Sequence, residues 1–301
     1  MVKLVLVAML STILLGGGGA AGCREKQNTN RQTEKASPPA IEKQTGGAGE
    51  FKVLAEGFHS SIDKPFVAVI RDVDTYAALT KLDANLPKLD SSFFDSNALV
   101  AAFLGQRNTG GYAVEISREG ESGLRLVERK PGKGMMVPQI ITAPFKIISV
   151  EGGASAAIVL SLDDAWKAGM QIYRMTSAVF TSGGGFSGRT EDFRLEGEVS
   201  VARADRLITL AFDIRSSNSE KRRSLSEFAT GVVHDREISV QRFSAGLLVD
   251  NPNPGLQASG TVAEKKLSLQ IGSRPTTIAD GYTGSGSLEA EAAAATVTPK
   301  L

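Results

Sequence analysis

The stretch ALVAAFLGQRNTGGYAVEIS (98–117) carries two different strand patterns on either side of a glycine pair. Over 98–104 both faces of an extended chain are apolar: Leu99, Ala101 and Phe103 on one, Val100, Ala102 and Leu104 on the other. Such a strand belongs in the middle of a sheet that is covered above and below. Beyond Gly110 and Gly111, Tyr112, Val114 and Ile116 alternate with Ala113, Glu115 and Ser117, the period of a half-buried antiparallel neighbour. The two glycines can take positive φ and so predict a tight reversal between the strands. Tyr112 is expected to bury its ring and keep its hydroxyl wet or bonded.

Working outward, Leu124 and Leu126 continue a meander, 131–138 is a Gly/Pro-rich loop, and 145–150 is a closing strand. Upstream, a folded unit begins near Phe51. Phe66, Ala68 and Ile70 alternate as a strand; Asp72 is placed as a helix N-cap, with Tyr76, Leu79 and Leu82 on one helical face and Pro87 beyond the end. Together these predict a small α+β domain over 51–151, bounded by Glu151-Gly152-Gly153.

Residues 152–301 read as a second, β-rich domain. Strand-like stretches at 158–162, 175–180, 193–201, 207–214, 238–243 and 267–271 are separated by turn clusters at 181–188, 251–255 and 284–287. Short alternating strands at this spacing predict an antiparallel sandwich or barrel. One helix is expected over 219–229, followed by Gly231, with Lys221-Arg222-Arg223 on its wet face. The segments 195–214 and 256–271 share a Gly-x-Val, charged residues, then Leu-x-Leu or a close variant, the common grammar of hairpins. The tail from Glu289 is expected to fray. The whole chain is therefore expected to be mostly β with minor α.

The N-terminus sets the expected location. Lys3, then an apolar run over 4–15, then small residues up to Cys23, has the layout of a secretory signal, and the run is too short to span a bilayer. Cys23 is the sole cysteine, and Ala20-Ala21-Gly22-Cys23 resembles the bacterial lipobox, although that motif usually has Leu where Ala20 stands. The resemblance implies a signal peptide over 1–23, lipidation of Cys23 and a place in the bacterial cell envelope. With Arg24 rather than Asp after the cysteine, it implies the outer membrane if the cell is Gram-negative. Residues 24–50, with almost nothing to bury, are expected to form a disordered tether.

Composition narrows the chemistry. A chain of 301 residues with net charge +1 is not a general nucleic-acid binder. With Cys23 modified, no disulfide can form and stability rests on packing. His59 and His234 are the only histidines, too few for a dedicated transition-metal site, and no cofactor is expected. There is no G-x-S-x-G elbow: 153–157 lacks the last glycine. Residues 183–188 formally match G-x-G-x-x-G, but a strand pattern follows rather than a helix. Asp163-Asp164 and Glu191-Asp192 read as solvated acids of turns rather than a hydrolytic pair. No catalytic residue is nominated.

One further pattern runs through the opening stretch. Thr109-Gly110-Gly111-Tyr112, then Pro131 and Pro138, then Pro144-Phe145 leading into a last strand, resembles the PrcB family over about 99–150. That resemblance implies a lipoprotein subunit that stabilises an extracytoplasmic protease complex without catalysis of its own. The later β-rich domain lies outside it. The leading expectation is a lipid-anchored envelope accessory protein that binds a protease or another envelope protein, with Asn108, Thr109, Gly110, Gly111, Tyr112, Pro144 and Phe145 as partner-binding residues. The same glycines and Tyr112 also read as determinants of the fold alone. Two rivals are a loop-based peptidase inhibitor, because 108–112 resembles the NPTTGY loop of chagasin-type inhibitors except at its proline, and a barrel enclosing a small ligand.

Overall fold

The computed structural model describes residues 51–84, 86–120, 123–153, 158–183, 190–217, 224–243, 256–273 and 283–293. Cys23, the tether, Lys221-Arg222-Arg223 and the turn cluster at 251–255 lie outside them.

The described chain is mostly β, as the alternation predicts. Strands β1 (Phe51–Gly57), β2 (Phe66–Ile70), β3 (Asn97–Phe103) and β6 (Phe145–Glu151) form a four-stranded sheet in the order β1-β6-β3-β2. β3 is central, and Ala98 to Phe103 are all buried, as its two apolar faces require. One face of the sheet meets helices α1 (Val73–Leu82) and α2 (Phe93–Ser96) through Phe66, Ile70, Leu79, Phe94, Leu99 and Phe103. Asp72 caps α1, accepting from the Thr75 amide at 2.7 Å.

The other face packs on a second sheet, β4 (Ala113–Glu119), β5 (Gly123–Arg129) and β7 (Val159–Leu162), in the order β4-β5-β7. Here the expected tight reversal is corrected. β4 pairs with β5, not with β3, so the chain crosses from one sheet to the other through 104–112 instead of folding back as a hairpin. The alternating pattern says only that β4 has one buried face. Val114 and Ile116 fill that face by packing against β3 and β6 from the opposite sheet. β7 lies beyond Glu151-Gly152-Gly153, yet pairs in parallel with β5 before it, and short helix α3 (Asp164–Lys167) follows.

The remaining strands are β8 (Gln171–Gly183), β9 (Thr190–Ala204), β10 (Leu207–Ser216), β11 (Ser224–His234), β12 (Glu237–Phe243), β13 (Leu256–Val262), β14 (Lys266–Ser273) and β15 (Thr283–Ala292). They form an up-and-down meander in which β15 pairs back with β8, closing an antiparallel eight-stranded barrel. The two similar segments are the β9–β10 and β13–β14 hairpins. Inward-facing Phe180, Phe193, Phe212, Phe243, Leu210, Leu269 and Leu288 form the core, with the Phe212 and Phe243 rings stacked at 5.6 Å. Outward positions such as Glu196, Asp213, Arg215, Gln257, Ser259 and Gln270 are polar. That arrangement is the reverse of a lipid-facing barrel.

Two further expectations are corrected. The helix expected over 219–229 is corrected from Ser224 onward, where the chain is strand β11; 219–223 lie outside the described residues. Period-two alternation is hidden because both faces of this strand are covered. Ala229 and Val233 point into the barrel, while Phe228 and Thr230 meet the first unit. The turn cluster at 284–287 and residues 289–292 of the tail expected to fray are instead part of the closing strand β15, and 294–301 lie outside the described residues. Gly284 and Gly286 are strand glycines seated against Phe180, where an added Cβ would come within 2.5 Å of the Phe180 ring and 2.4 Å of the Val179 oxygen.

The barrel is joined to the first unit through β2. Thr209 on β10 donates to the Val67 carbonyl at 2.7 Å, and Thr230 on β11 accepts from the Val69 amide at 2.8 Å. The two hydroxyls lie 2.9 Å apart. Since the Thr209 proton is committed to Val67, Thr230 donates to Thr209, and one directed chain closes the free edge of β2. Beside it, Arg71 forms a wholly buried ion pair with Glu227 at 2.9 Å and donates to the carbonyls of Gly153 and Phe228. Burial pulls the Arg71 guanidinium below its usual range, Glu227 opposes that, and Arg242 adds to it.

Candidate functional site

The Thr109-Gly110-Gly111-Tyr112 turn is clamped to the loop 131–144. Arg107 and Thr142 exchange backbone hydrogen bonds at 2.7 and 2.9 Å, the Gly110 amide donates to the Pro138 carbonyl at 2.9 Å, and the Thr142 hydroxyl donates to the Thr109 carbonyl at 2.9 Å. Gly111 has φ +87°, and an added Cβ would lie 3.0 Å from both Pro131 and Val137. Glycine is needed there on two counts, backbone conformation and space.

Arg107 fastens the underside. Its Nε meets Glu128 at 2.7 Å, its Nη1 donates to the Leu104 and Gln106 carbonyls, and its guanidinium lies 5.8 Å from the Tyr112 ring centroid. The Glu128 amide donates to Asp163, whose other oxygen caps α3. Asp163 is thus a structural acceptor. Pro144 accepts from the Leu104 amide, and Phe145 stacks on Phe103 at 5.9 Å.

The expected partner-binding residues therefore separate by exposure. Asn108 and Gly111 face solvent; Thr109, Tyr112 and Phe145 are half-buried; Gly110 and Pro144 are buried. What they hold up was not read from the sequence. Met135 (66% exposed), Met136 (100%), Ile140 (52%) and Ile141 (65%) project from the clamped loop, with Phe58 (53%) beside it. Phe58 is placed there because its carbonyl accepts from the Ala143 amide at 2.7 Å. The available signal was the pair of apolar doublets, Met135-Met136 and Ile140-Ile141, inside a Gly/Pro-rich loop, where apolar residues have no strand or helix face to bury.

A second open feature is β1. It pairs with β6 on one side and with no other strand among the described residues, whereas the threonines close the β2 edge at the far side of the same sheet. Elsewhere, His59 and His234 are exposed, and the described residues contain no group of His, Cys, Asp and Glu able to hold a metal ion. Asp192 accepts from Thr181 at 2.7 Å. The inward-facing side chains of the barrel form one hydrophobic cluster of buried residues. No helix among the described residues is long and apolar enough to cross a membrane.

Fold and site together define a mostly β protein, an antiparallel barrel joined to a two-sheet unit that presents a clamped loop. The family model described as PrcB C-terminal matches residues 98–151, which run from β3 through the clamp and the loop to the end of β6. This segment resemblance suggests an accessory protein associated with a protease complex, a kind of subunit distinct from the catalytic ones. The match includes none of the barrel. No curated protein and no solved structure matches the chain.

Proposed function

We propose that this chain is a lipid-anchored accessory protein of the bacterial cell envelope that binds and stabilises an extracytoplasmic protease. The observation that carries this reading is the unequal treatment of the two edges of one sheet. The barrel caps β2, while β1, beside the family segment, keeps a row of backbone donors and acceptors on its outer side. An extended segment of a partner can add to such an edge, with side-chain contacts supplying selectivity. Asn108 and Gly111, exposed at the end of the same unit, extend the contact. Thr109, Gly110, Tyr112, Pro144 and Phe145 hold its shape. Cys23 is the attachment point, and its thiol carries the acyl chains.

Photocrosslinking residues placed at Lys52 and Asn108, with Ser259 on the barrel as control, test this in detergent-solubilised membranes. One protein joined at the first two positions and not at the third is the expected result. Recovery of the chain alone, with no stoichiometric companion, contradicts it. Separately, Cys23→Ser is expected to move the protein from the membrane fraction to the soluble one.

A further inference from the structure

We infer that the loop 131–144 is a membrane-contacting element, its apolar tips entering the surface of an anionic phospholipid bilayer. The inference concerns the exposed tips of this loop and not the β1 edge proposed for the partner, whose contact at Asn108 and Gly111 lies on the turn clamped to the same loop. It starts from shape. Gly132-Lys133-Gly134-Met135 forms a turn, with the Met135 amide on the Gly132 carbonyl at 3.1 Å and Gly134 at φ +79°. Met135 and Met136 emerge directly from this turn, and Met136 is wholly exposed. Ile140, Ile141 and Phe58 add branched and aromatic surface beside it. These residues project outward as exposed tips. A fluid interface accepts separate projections of this kind without needing a complementary shape, and long unbranched methionines suit it.

Charge selects the lipid. Arg129, Lys130 and Lys133 lead into the methionines, and no acidic residue occurs from 130 to 144. Lys130 lies 3.5 Å from Glu128 and Arg129 lies 3.6 Å from Glu115, while Lys133 has no carboxylate within ion-pair distance among the described residues. Each basic side chain close to an anionic surface contributes about fivefold to affinity. The clamp matters here too. Bonds from Arg107, Gly110, Thr142 and Ala143 fix the loop in advance, so little ordering is left for the moment of contact.

The geometry also agrees with an anchor at Cys23. β1 begins at Phe51, opposite Val150, and delivers Phe58 to the other end of the sheet, about 20 Å away at roughly 3.3 Å per residue. The residues between Cys23 and Phe51 can extend to several times that distance, so anchor and loop can meet one bilayer. The β1 edge would then stand upright on the membrane, open to the side.

The test uses the full chain carrying Met136→Trp. The sole native tryptophan, Trp166, is 1% exposed and bonded to the Phe103 carbonyl, so the two emissions are distinguishable. Vesicles of phosphatidylcholine are compared with vesicles that also contain phosphatidylglycerol, each with and without brominated acyl chains. The expected result is a blue shift of the exposed indole and its quenching by brominated lipid on the anionic vesicles, lowered about tenfold or more by Lys130→Glu with Lys133→Glu and weakened by salt. An indole that stays water-exposed and unquenched, even on vesicles that hold the chain through its anchor, overturns the inference. So does quenching that the charge reversals leave unchanged. A shift seen only with a co-purifying protein assigns the tips to a protein surface instead and overturns it as well. All these substitutions lie at solvent-exposed positions, and an unaltered urea midpoint shows that the fold is intact.

Discussion

Gly111 holds the loop by having no side chain. At φ +87° any other residue is strained, and Pro131 and Val137 occupy the space that a Cβ would take. Gly111→Ala is expected to cost about 1–2 kcal/mol. It should lower the urea midpoint and speed exchange of the Gly110 amide, whose bond to Pro138 depends on the same turn. Tyr76 acts at another point on the same scale. Its hydroxyl donates to the Pro87 carbonyl, and burial pushes its pKa up to about 12. The folded state therefore keeps a proton that the unfolded chain releases near pH 10. This contribution to stability is complete below about pH 10 and is lost as pH rises towards about 12. Urea midpoints measured through that range should fall in the native protein and fall less in Tyr76→Phe; equal slopes would place the alkaline loss elsewhere. The Asp72 cap and the buried Leu79 were legible because each depends on residues a few positions away. The fit of Gly111 between Pro131 and Val137 was not, because those neighbours lie some twenty residues on.

Among elements, β2 shows how an edge is managed. Two hydroxyls from β10 and β11 take the place of a neighbouring strand. Replacing both by valine, in Thr209→Val with Thr230→Val, keeps the shape and leaves the Val67 carbonyl and Val69 amide buried without these partners. The expected loss is about 1–3 kcal/mol for each group. Val69 amide exchange, compared with that of a β3 amide in the same variant, should rise selectively. Uniform acceleration would mean that the whole unit had weakened. β11 and β15 are where pattern reading fails, for opposite reasons. β11 is covered on both faces, so its alternation disappears. β15 is rich in Gly, Ser and Ala, so its alternation is faint, and its glycines are required by a phenylalanine on a strand a hundred residues earlier.

Among the described residues, barrel and two-sheet unit are held together by a contact in which Arg71 and Glu227 are wholly buried. Removing one charge should cost far more than removing both. Glu227→Gln is expected to lose about 3–5 kcal/mol, while Arg71→Met with Glu227→Leu should be near neutral. A double-mutant cycle in urea gives the coupling, and a small cost for the single variant would show that the other polar groups around Arg71 suffice. With that junction intact, the barrel presents a largely polar outer wall, the sheet presents β1, and the loop presents four exposed apolar side chains with Phe58 beside them. Variants at Lys52 and Lys133 test the two contacts separately: the first should lower crosslinking to the companion protein, the second vesicle binding.

The sequence alone determined that the chain is strand-rich, that 98–104 is a central strand, that Asp72 starts a helix, and that a sandwich or barrel follows. Each of these is set by which residues are apolar within a short window. Only the tertiary structure decided that the second sheet is separate, that β15 closes a barrel, that threonines cap β2, and that the methionines and isoleucines of the loop stand in the open. Those outcomes depend on which distant segment lies alongside, and a local pattern of apolar residues records that a face must be covered without recording what covers it.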